Sequence, residues 1–235
     1  VSLISFIIPT YEKVNFTKSC LKDLFRLSIP FEVIVVDNSQ TNETYEMCLD
    51  YKKYNNFKYL RSSKNTFSHA CNTGYKNASG EYLCFLNNDI RVKENHDSWP
   101  NLLISTIKDY EKNGENIIIG PTGGMLDNNF NFLYETRDAN KKINYISGWC
   151  LTLSKAVAKI LEISEDEMWD ERFKFYFEDA DIGFRAQQKN IKLVLKDIPV
   201  VHFGKISTDK TQINKLYNEG KKIFTSIYKN NTLSG

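Results

Sequence analysis

The chain has 235 residues, 41% hydrophobic and 26% charged, the balance of one ordinary globular domain able to bury a sizeable core. Its formal net charge of +2, spread along the chain, gives no electrostatic ground for nucleic acid as a ligand, so any anionic partner must be recognised locally. No apolar run reaches the ~18 residues a bilayer span needs, and five cysteines without a C-x-x-C pair point to reduced, buried thiols rather than zinc or disulfides.

Those thiols lead to the expectation of a reducing, cytoplasmic setting. The chain begins at Val1 rather than Met, so flanking domains of a longer protein are also expected. LISFIIP (Leu3 to Pro9) is a short continuous apolar run ended by Pro and predicts a strand buried on both faces. A helical stripe of Phe16, Cys20, Leu24 and Leu27 follows, then a second buried strand, FEVIVVDNS (Phe31 to Ser39). Strand, helix, strand at this spacing predicts a right-handed βαβ unit. TNETYEMCLDYKKY predicts a helix capped by Thr41 or Asn42, and FKYLRS a strand. SHACNTGYKNASG predicts a short helix closed by Gly80, and EYLCFLNND (Glu81 to Asp89) another strand. Residues 1–90 therefore read as a doubly wound, nucleotide-binding half.

The pattern changes from 91 to 208. A helix over Trp99 to Lys112 leads to NIIIGPTGG, a strand with a glycine-rich exit, and MLDNNFNFLYET predicts a hairpin turning at Asp127 to Asn129. INYISGWCLTLS reads as one mixed strand and SKAVAKILEI as a short helix capped by Ser154. FYFEDADIGFRAQQKN then carries Glu178, Asp179 and Asp181 within four residues, ahead of the strand IKLVLKDIPVVHFG. An amphipathic helix with Ile213, Leu216, Ile223, Phe224 and Ile227 belongs to the closing segment, 209–235. With no internal repeat or clear linker, a single α/β domain is predicted.

In an open parallel sheet, ligands bind at the carboxyl ends of the strands. Thr10 with Tyr11, Asp37 with Asn38, and Asn87, Asn88 and Asp89 stand at such ends. The first strand runs into IIPTYEKVNF without G-x-G-x-x-G, which disfavours a dinucleotide-dependent dehydrogenase, and the missing G-x-x-x-x-G-K-[ST] excludes a P-loop NTPase. Each candidate also has a plainer reading: Asp37 and Asp89 as turn formers, His202 as a satisfied core histidine, Asp181 as an acid at a helix N-terminus. The plain reading does not account for three acids beside Phe175, Tyr176 and Phe177. Mutual repulsion and apolar surroundings there raise the pKa of one member, as a general base requires.

Five segments carry a resemblance: SFIIPTYEKVNFTKSCLKDL, EVIVVDNS, NTFSHACNTGYKNASGEYLCFLNNDI, ISGWCLTLSK and FEDADIGFRAQQKNIKLVLKDIPVVHFG. In order and spacing the chain resembles family 2 glycosyltransferases of the GT-A fold over residues 3 to 208, nearest their rhamnosyltransferase-like and galactofuranosyltransferase-like branches. The resemblance implies a Rossmann-like, mostly parallel central sheet flanked by helices, with a smaller mixed sheet on the acceptor side. It also implies inverting transfer of a sugar from a nucleotide-diphosphate donor to an acceptor hydroxyl of a growing glycan, such as a surface polysaccharide or glycoconjugate, with a divalent metal.

Carried over residue by residue, Asp37 matches the carboxylate that accepts the imide N–H of uracil or thymine, with Thr10 and Tyr11 in the same pocket. A UDP- or dTDP-sugar is thus expected ahead of a GDP-sugar. Asn65, His69, Asn72 and Asn88 are candidates for further nucleotide contact. Asn87, Asn88 and Asp89 stand where the family carries D-x-D. Here the first Asp is Asn, so Asp89 is expected to hold the metal with His202 of the H-x-G after the last strand. Imidazole suits Mn²⁺ better than Mg²⁺, hence an expected preference for Mn²⁺. Asp179 matches the general base, and Glu178 the neighbouring acid that orients the acceptor or supports the base. Gly148 and Trp149 match the segment under sugar and acceptor, where Trp149 would either stack on a sugar face or serve as a core Trp. Arg185, one turn after Asp181, is placed on that side too.

Lys215, Lys221, Lys222 and Lys229 lie off the apolar stripe of the last helix. They offer a peripheral contact with the inner face of a membrane carrying a lipid-linked acceptor. Packing of that helix on its own domain is the competing expectation. Two rival functions stand beside the transferase. One is a sugar nucleotidyltransferase, which needs a Gly-rich basic loop where PTYEKVNF stands. The other is a non-catalytic nucleotide- or carbohydrate-binding module of a larger polymerase.

Overall fold

The computed structural model describes residues 3–204 and 210–229, with side chains from 213 onward in the second stretch. The apolar runs become β1 (Ile4–Thr10), β2 (Phe31–Asp37), β3 (Phe57–Arg61) and β4 (Tyr82–Leu86), followed by β5 (Ile90–Val92) and β6 (Ile117–Gly120). The remaining strands are β7 (Gly123–Leu126), β8 (Phe132–Thr136), β9 (Tyr145–Ile146), β10 (Cys150–Ser154), β11 (Lys192–Leu195) and β12 (Val200–His202). The helices are α1 (Val14–Leu24), α2 (Glu43–Cys48), α3 (Phe67–Lys76), α4 (Pro100–Lys112), α5 (Lys155–Leu161), α6 (Glu178–Gln188) and α7 (Lys210–Tyr228).

A seven-stranded sheet in the order β11-β6-β10-β4-β1-β2-β3 forms the centre. The β4-β1-β2-β3 part is parallel, while β10 runs antiparallel to both neighbours. Side chains alternate across a strand, so each buried run supplies two cores. Phe6, Ile8, Val33 and Val35 face Leu21, Trp99 and Leu103 on one side. Ile7, Ile34, Val36 and Phe85 face Cys71, Trp169 and Ile182 on the other. All five cysteines are buried and free.

Two predicted strands each divide between sheets. IKLVLKDIPVVHFG becomes β11 in the central sheet and β12 in a two-stranded sheet with β5. INYISGWCLTLS becomes β9, in the antiparallel sheet β8-β7-β9, and β10 in the central sheet. Residues 147–149 between them turn the chain from one sheet to the other. The smaller sheets are antiparallel rather than mixed. The hairpin expected to turn at Asp127 to Asn129 forms between β7 and β8, with a loop in which Asp127 accepts the backbone N–H groups of Asn129 and Asn131. Gly80 does not close α3, which ends at Lys76. Gly80 lies against β1, where a Cβ would stand 2.8 Å from the backbone N of Ser5.

α7 packs on its own domain. Phe224 is fully buried among Phe173, Phe177 and Phe184, and the Tyr228 hydroxyl donates to Asp181 at 2.7 Å. Residues 230–235 of the predicted closing segment lie outside the described residues. Among the described residues no helix is long and apolar enough to cross a membrane.

Gly183 sets how closely α6 approaches β9. A Cβ there would meet the Asn144 carbonyl oxygen at 2.4 Å and Tyr145 Cα at 2.7 Å, both backbone. In an open helix Gly→Ala gains up to about 1 kcal/mol; here the overpacking reverses the sign. Gly183→Ala is expected to destabilise by roughly 1–3 kcal/mol. Thermal unfolding should show a Tm lower by roughly 2–4 °C for each of those.

Candidate active site

Thr10, Asp37 and Asn87 to Asp89 end or follow three neighbouring parallel strands, β1, β2 and β4. α1 covers one face of that part of the sheet and α3 the other, so the connections diverge at these strand ends, where open parallel sheets bind their ligands. Among the described residues, the buried side-chain polar atoms without a hydrogen-bond partner include Asn38 Oδ1, Asp89 Oδ1 and Glu178 Oε2. Unpaired buried acceptors are costly. Three of them fall in these polar clusters, where they stand open to a donor or a cation from outside the chain.

Asp37 is fully buried, and both carboxylate oxygens are engaged. Oδ1 accepts the backbone N–H of Ser39 at 2.9 Å and, more weakly, the Thr10 hydroxyl at 3.5 Å. Oδ2 accepts the Tyr59 hydroxyl at 2.7 Å and lies 3.2 Å from Arg61 Nη1. Glu12 ties this corner together, donating its N–H to Ser39 Oγ and accepting the Gln40 N–H. Tyr11 is the exposed rim, at 36%. Sequence reasoning missed Tyr59 and Arg61. The parallel register Val35↔Tyr59 and Asp37↔Arg61, two residues apart on β3, puts both on the face that Asp37 uses.

Asp89 and His202 meet because β12 pairs with β5, with His202 opposite Ile90. His202 Nε2 is 3.1 Å from Asp89 Oδ1, while Asp89 Oδ2 accepts the Gly204 N–H at 3.0 Å. Asn87 Nδ2 lies 3.3 Å from the same His202 nitrogen. Two donors at right angles, each about 2.1 Å from a small divalent cation, stand about 3.0 Å apart. Asp89 Oδ1, buried and unpaired, and His202 Nε2 are therefore spaced to fit one edge of such a coordination shell. An ion held by these two residues would keep most of that shell for water or phosphate oxygens. Among the described residues no group of three or more His, Cys, Asp or Glu converges on one point.

The acidic cluster opens α6. Asp179 Oδ2 accepts the Gly148 N–H at 2.9 Å, and Oδ1 accepts the Ala180 N–H at 2.8 Å. Gly148 is next to Trp149, whose ring stacks on His202 and whose carbonyl accepts the Asn87 N–H at 2.9 Å. The segment 147–149 thus touches the acid pair on one side and the Asp89–His202 pair on the other.

Burial raises both carboxyls: Asp179 to about 6, with the Gly148 and Ala180 N–H groups opposing, and Glu178 to about 8, with the Asp179 charge adding to burial. The two protons belong to the pair, and the upward shifts keep one of them on it near neutrality. An acid whose folded pKa is raised binds more protons folded than unfolded, so its stability contribution falls as pH rises through that window. Glu178→Gln is therefore expected to raise Tm at pH 8, by roughly 2–4 °C for each kcal/mol gained. The gain should shrink towards pH 5, which thermal melts across that range would show.

A family model, Glycosyl transferase family 2, matches residues 5–146, more than half of the chain. The chain belongs to glycosyl transferase family 2. An uncharacterized glycosyltransferase of Rickettsia conorii is 33% identical over 87 residues, 37% of this chain and 14% of that protein. The chain spans well under half the length of the curated relatives it matches. Among solved structures, S. aureus TarS superposes with a TM-score of 0.61 at 19% identity, over 84% of this chain and 36% of TarS. The mannosyltransferase PcManGT from Pyrobaculum calidifontis, in complex with GDP-Man and Mn²⁺, superposes at 0.56 with 12% identity, over 82% and 54%. The fold is GT-A.

Several residues expected at the family 2 site have other partners. Asn72 is 5% exposed; its Oδ1 accepts the N–H groups of Met168 and Trp169, and its Nδ2 donates to the Trp169 carbonyl. That amide braces the loop ahead of α6. Arg185, expected beside sugar and acceptor, instead bonds Asp181 and the carbonyls of Leu161 and Met168, which uses its guanidinium within the fold. Asn88 donates to Thr17 on α1 at 2.9 Å. His69 is 2.7 Å from Glu171 through Nδ1 and 2.9 Å from Ser63 through Nε2, while Asn65 is exposed on the loop before α3. Trp149 is 6% exposed, and one face of its indole is taken by His202.

Proposed function

We propose that this domain transfers a sugar, with inversion, from a nucleotide diphosphate to an acceptor hydroxyl of a growing glycan. The observation that carries the reading is the shared segment 147–149, with a carboxylate of raised pKa on one side and an Asp–His pair on the other. Inversion needs a proton acceptor on the face of the sugar opposite the leaving diphosphate. In this reading Asp179 is that base. Two of its lone pairs hold backbone N–H groups, which leaves others for the acceptor hydroxyl. Glu178 keeps the shared proton near pH 7, so the negative charge resides on Asp179.

Asp89 and His202 would hold a divalent ion, with Mn²⁺ favoured over Mg²⁺ because imidazole is one of only two protein ligands. When bound, such an ion neutralises charge on the departing diphosphate. Asp37 would receive a pyrimidine imide N–H in place of Thr10, its weakest partner at 3.5 Å, which favours UDP- and dTDP-sugars. The cytoplasmic face of a membrane, with lipid-linked acceptors, suits such substrates.

A thermal-shift screen of UDP-, dTDP- and GDP-sugars with and without Mn²⁺ tests donor and metal together. UDP- or dTDP-sugars with Mn²⁺ should give the largest shift, and release of nucleoside diphosphate should follow when acceptor is added. Binding without release would instead identify a binding module.

A further inference from the structure

His202 Nε2 lies 3.1 Å from Asp89 Oδ1 and 3.3 Å from Asn87 Nδ2. Both contacts fall on one ring nitrogen, so they leave the imidazole free to tilt about it. The tilt is blocked by Trp149, whose ring lies 4.7 Å from the imidazole at an interplanar angle of 9°. The indole is itself fixed. It is buried, its backbone carbonyl accepts the Asn87 N–H, and the guanidinium of Arg137 stands over its ring at 5.6 Å. Arg137 in turn donates to the Val200 carbonyl on β12, the strand that carries His202.

We propose that Trp149 is a positioning residue, which locks the imidazole plane of His202 so that Nε2 stays turned to Asp89 Oδ1, with Arg137 steadying the indole. The role rests on the reading of Asp89 and His202 as a cation clamp. It replaces sugar stacking as the task of Trp149, because imidazole covers one face of the indole and the Arg137 guanidinium also stands over the ring. A flat, polarisable surface parallel to the ring confines its tilt without competing for either nitrogen. An aliphatic side chain of equal volume fills the space but lacks that geometry.

The test pairs metal affinity with a readout on the metal-free protein. Mn²⁺ is titrated into protein with UDP by calorimetry, and the ring protons of His202, one of three histidines, are followed by NMR without metal. Trp149→Ala is expected to weaken Mn²⁺ binding by about 10- to 100-fold, the scale for groups that orient a metal ligand. It should also abolish the upfield displacement that the indole imposes on the His202 resonances. Trp149→Phe should restore most of the affinity, and Arg137→Ala should cost about 2- to 5-fold. If Trp149→Ala fails to fold, Trp149→Leu reads the same two quantities. His202→Ala separates the failures. Loss of affinity there, without loss in the Trp149 variants, overturns the positioning role and leaves the cation clamp standing. Unchanged affinity in His202→Ala overturns the clamp and this role with it.

Discussion

Asp179→Asn is expected to lower transfer by roughly 10²–10⁴, the range a positioned general base supplies, while the affinity for nucleoside diphosphate changes by less than about threefold. The substitution keeps the shape of the side chain and removes its ability to take a proton. It also trades one oxygen for an NH₂ group, so one of the N–H groups of Gly148 and Ala180 loses its acceptor. Relief of repulsion with Glu178 offsets that loss, and Tm should stay close to wild type. In the unmodified protein, kcat/KM should fall tenfold per pH unit below about 6, where the raised pKa of Asp179 lies. The sign follows from the role: a base must be ionised, so acid suppresses it. Residual activity of Asp179→Asn should lose this acid limb. A variant that turns over at the wild-type rate would remove Asp179 from the reaction.

Asp89→Asn addresses the other side of segment 147–149. It removes the charge of a buried oxygen that has no hydrogen-bond donor within the protein, and it halves the protein's share of the proposed metal shell. Metal-dependent transfer should drop by at least about 10²-fold, the scale of several kcal/mol of charge stabilisation. Calorimetry should show UDP binding tighter with Mn²⁺ in the wild type, and no such gain in Asp89→Asn. Affinity for UDP without metal should be unchanged, since the variant leaves the Asp37 corner intact. Equal Mn²⁺ dependence in both proteins would show that Asp89 holds no ion.

The legible part of the site was its chemistry by type. Carboxylates, amides and a histidine at the ends of apolar runs were readable because a buried strand must surface in a polar turn. The acidic cluster was readable because three acids beside three aromatics conflict with local preference, a mark of function. What each group has left to offer a ligand was not readable. One oxygen of Asp37 is taken by Tyr59, 22 residues away, and Asn72 is engaged by backbone 97 residues away. Arg185 is a mixed case, since its partner Asp181 lies one turn back, while the carbonyls of Leu161 and Met168 that complete its shell do not.

The sequence by itself determined the strands of the parallel half, the absence of a dinucleotide fingerprint, and the candidate residues. These depend on period, burial and turn chemistry within some ten residues. Only the tertiary structure decided that two long apolar runs break between sheets, that the break at 147–149 carries Gly148 to Asp179 and Trp149 to His202, and that Asn72 and Arg185 are braces. Strand pairing and hydrogen-bond saturation are settled by partners that are distant in the chain, and no local pattern encodes which partner arrives.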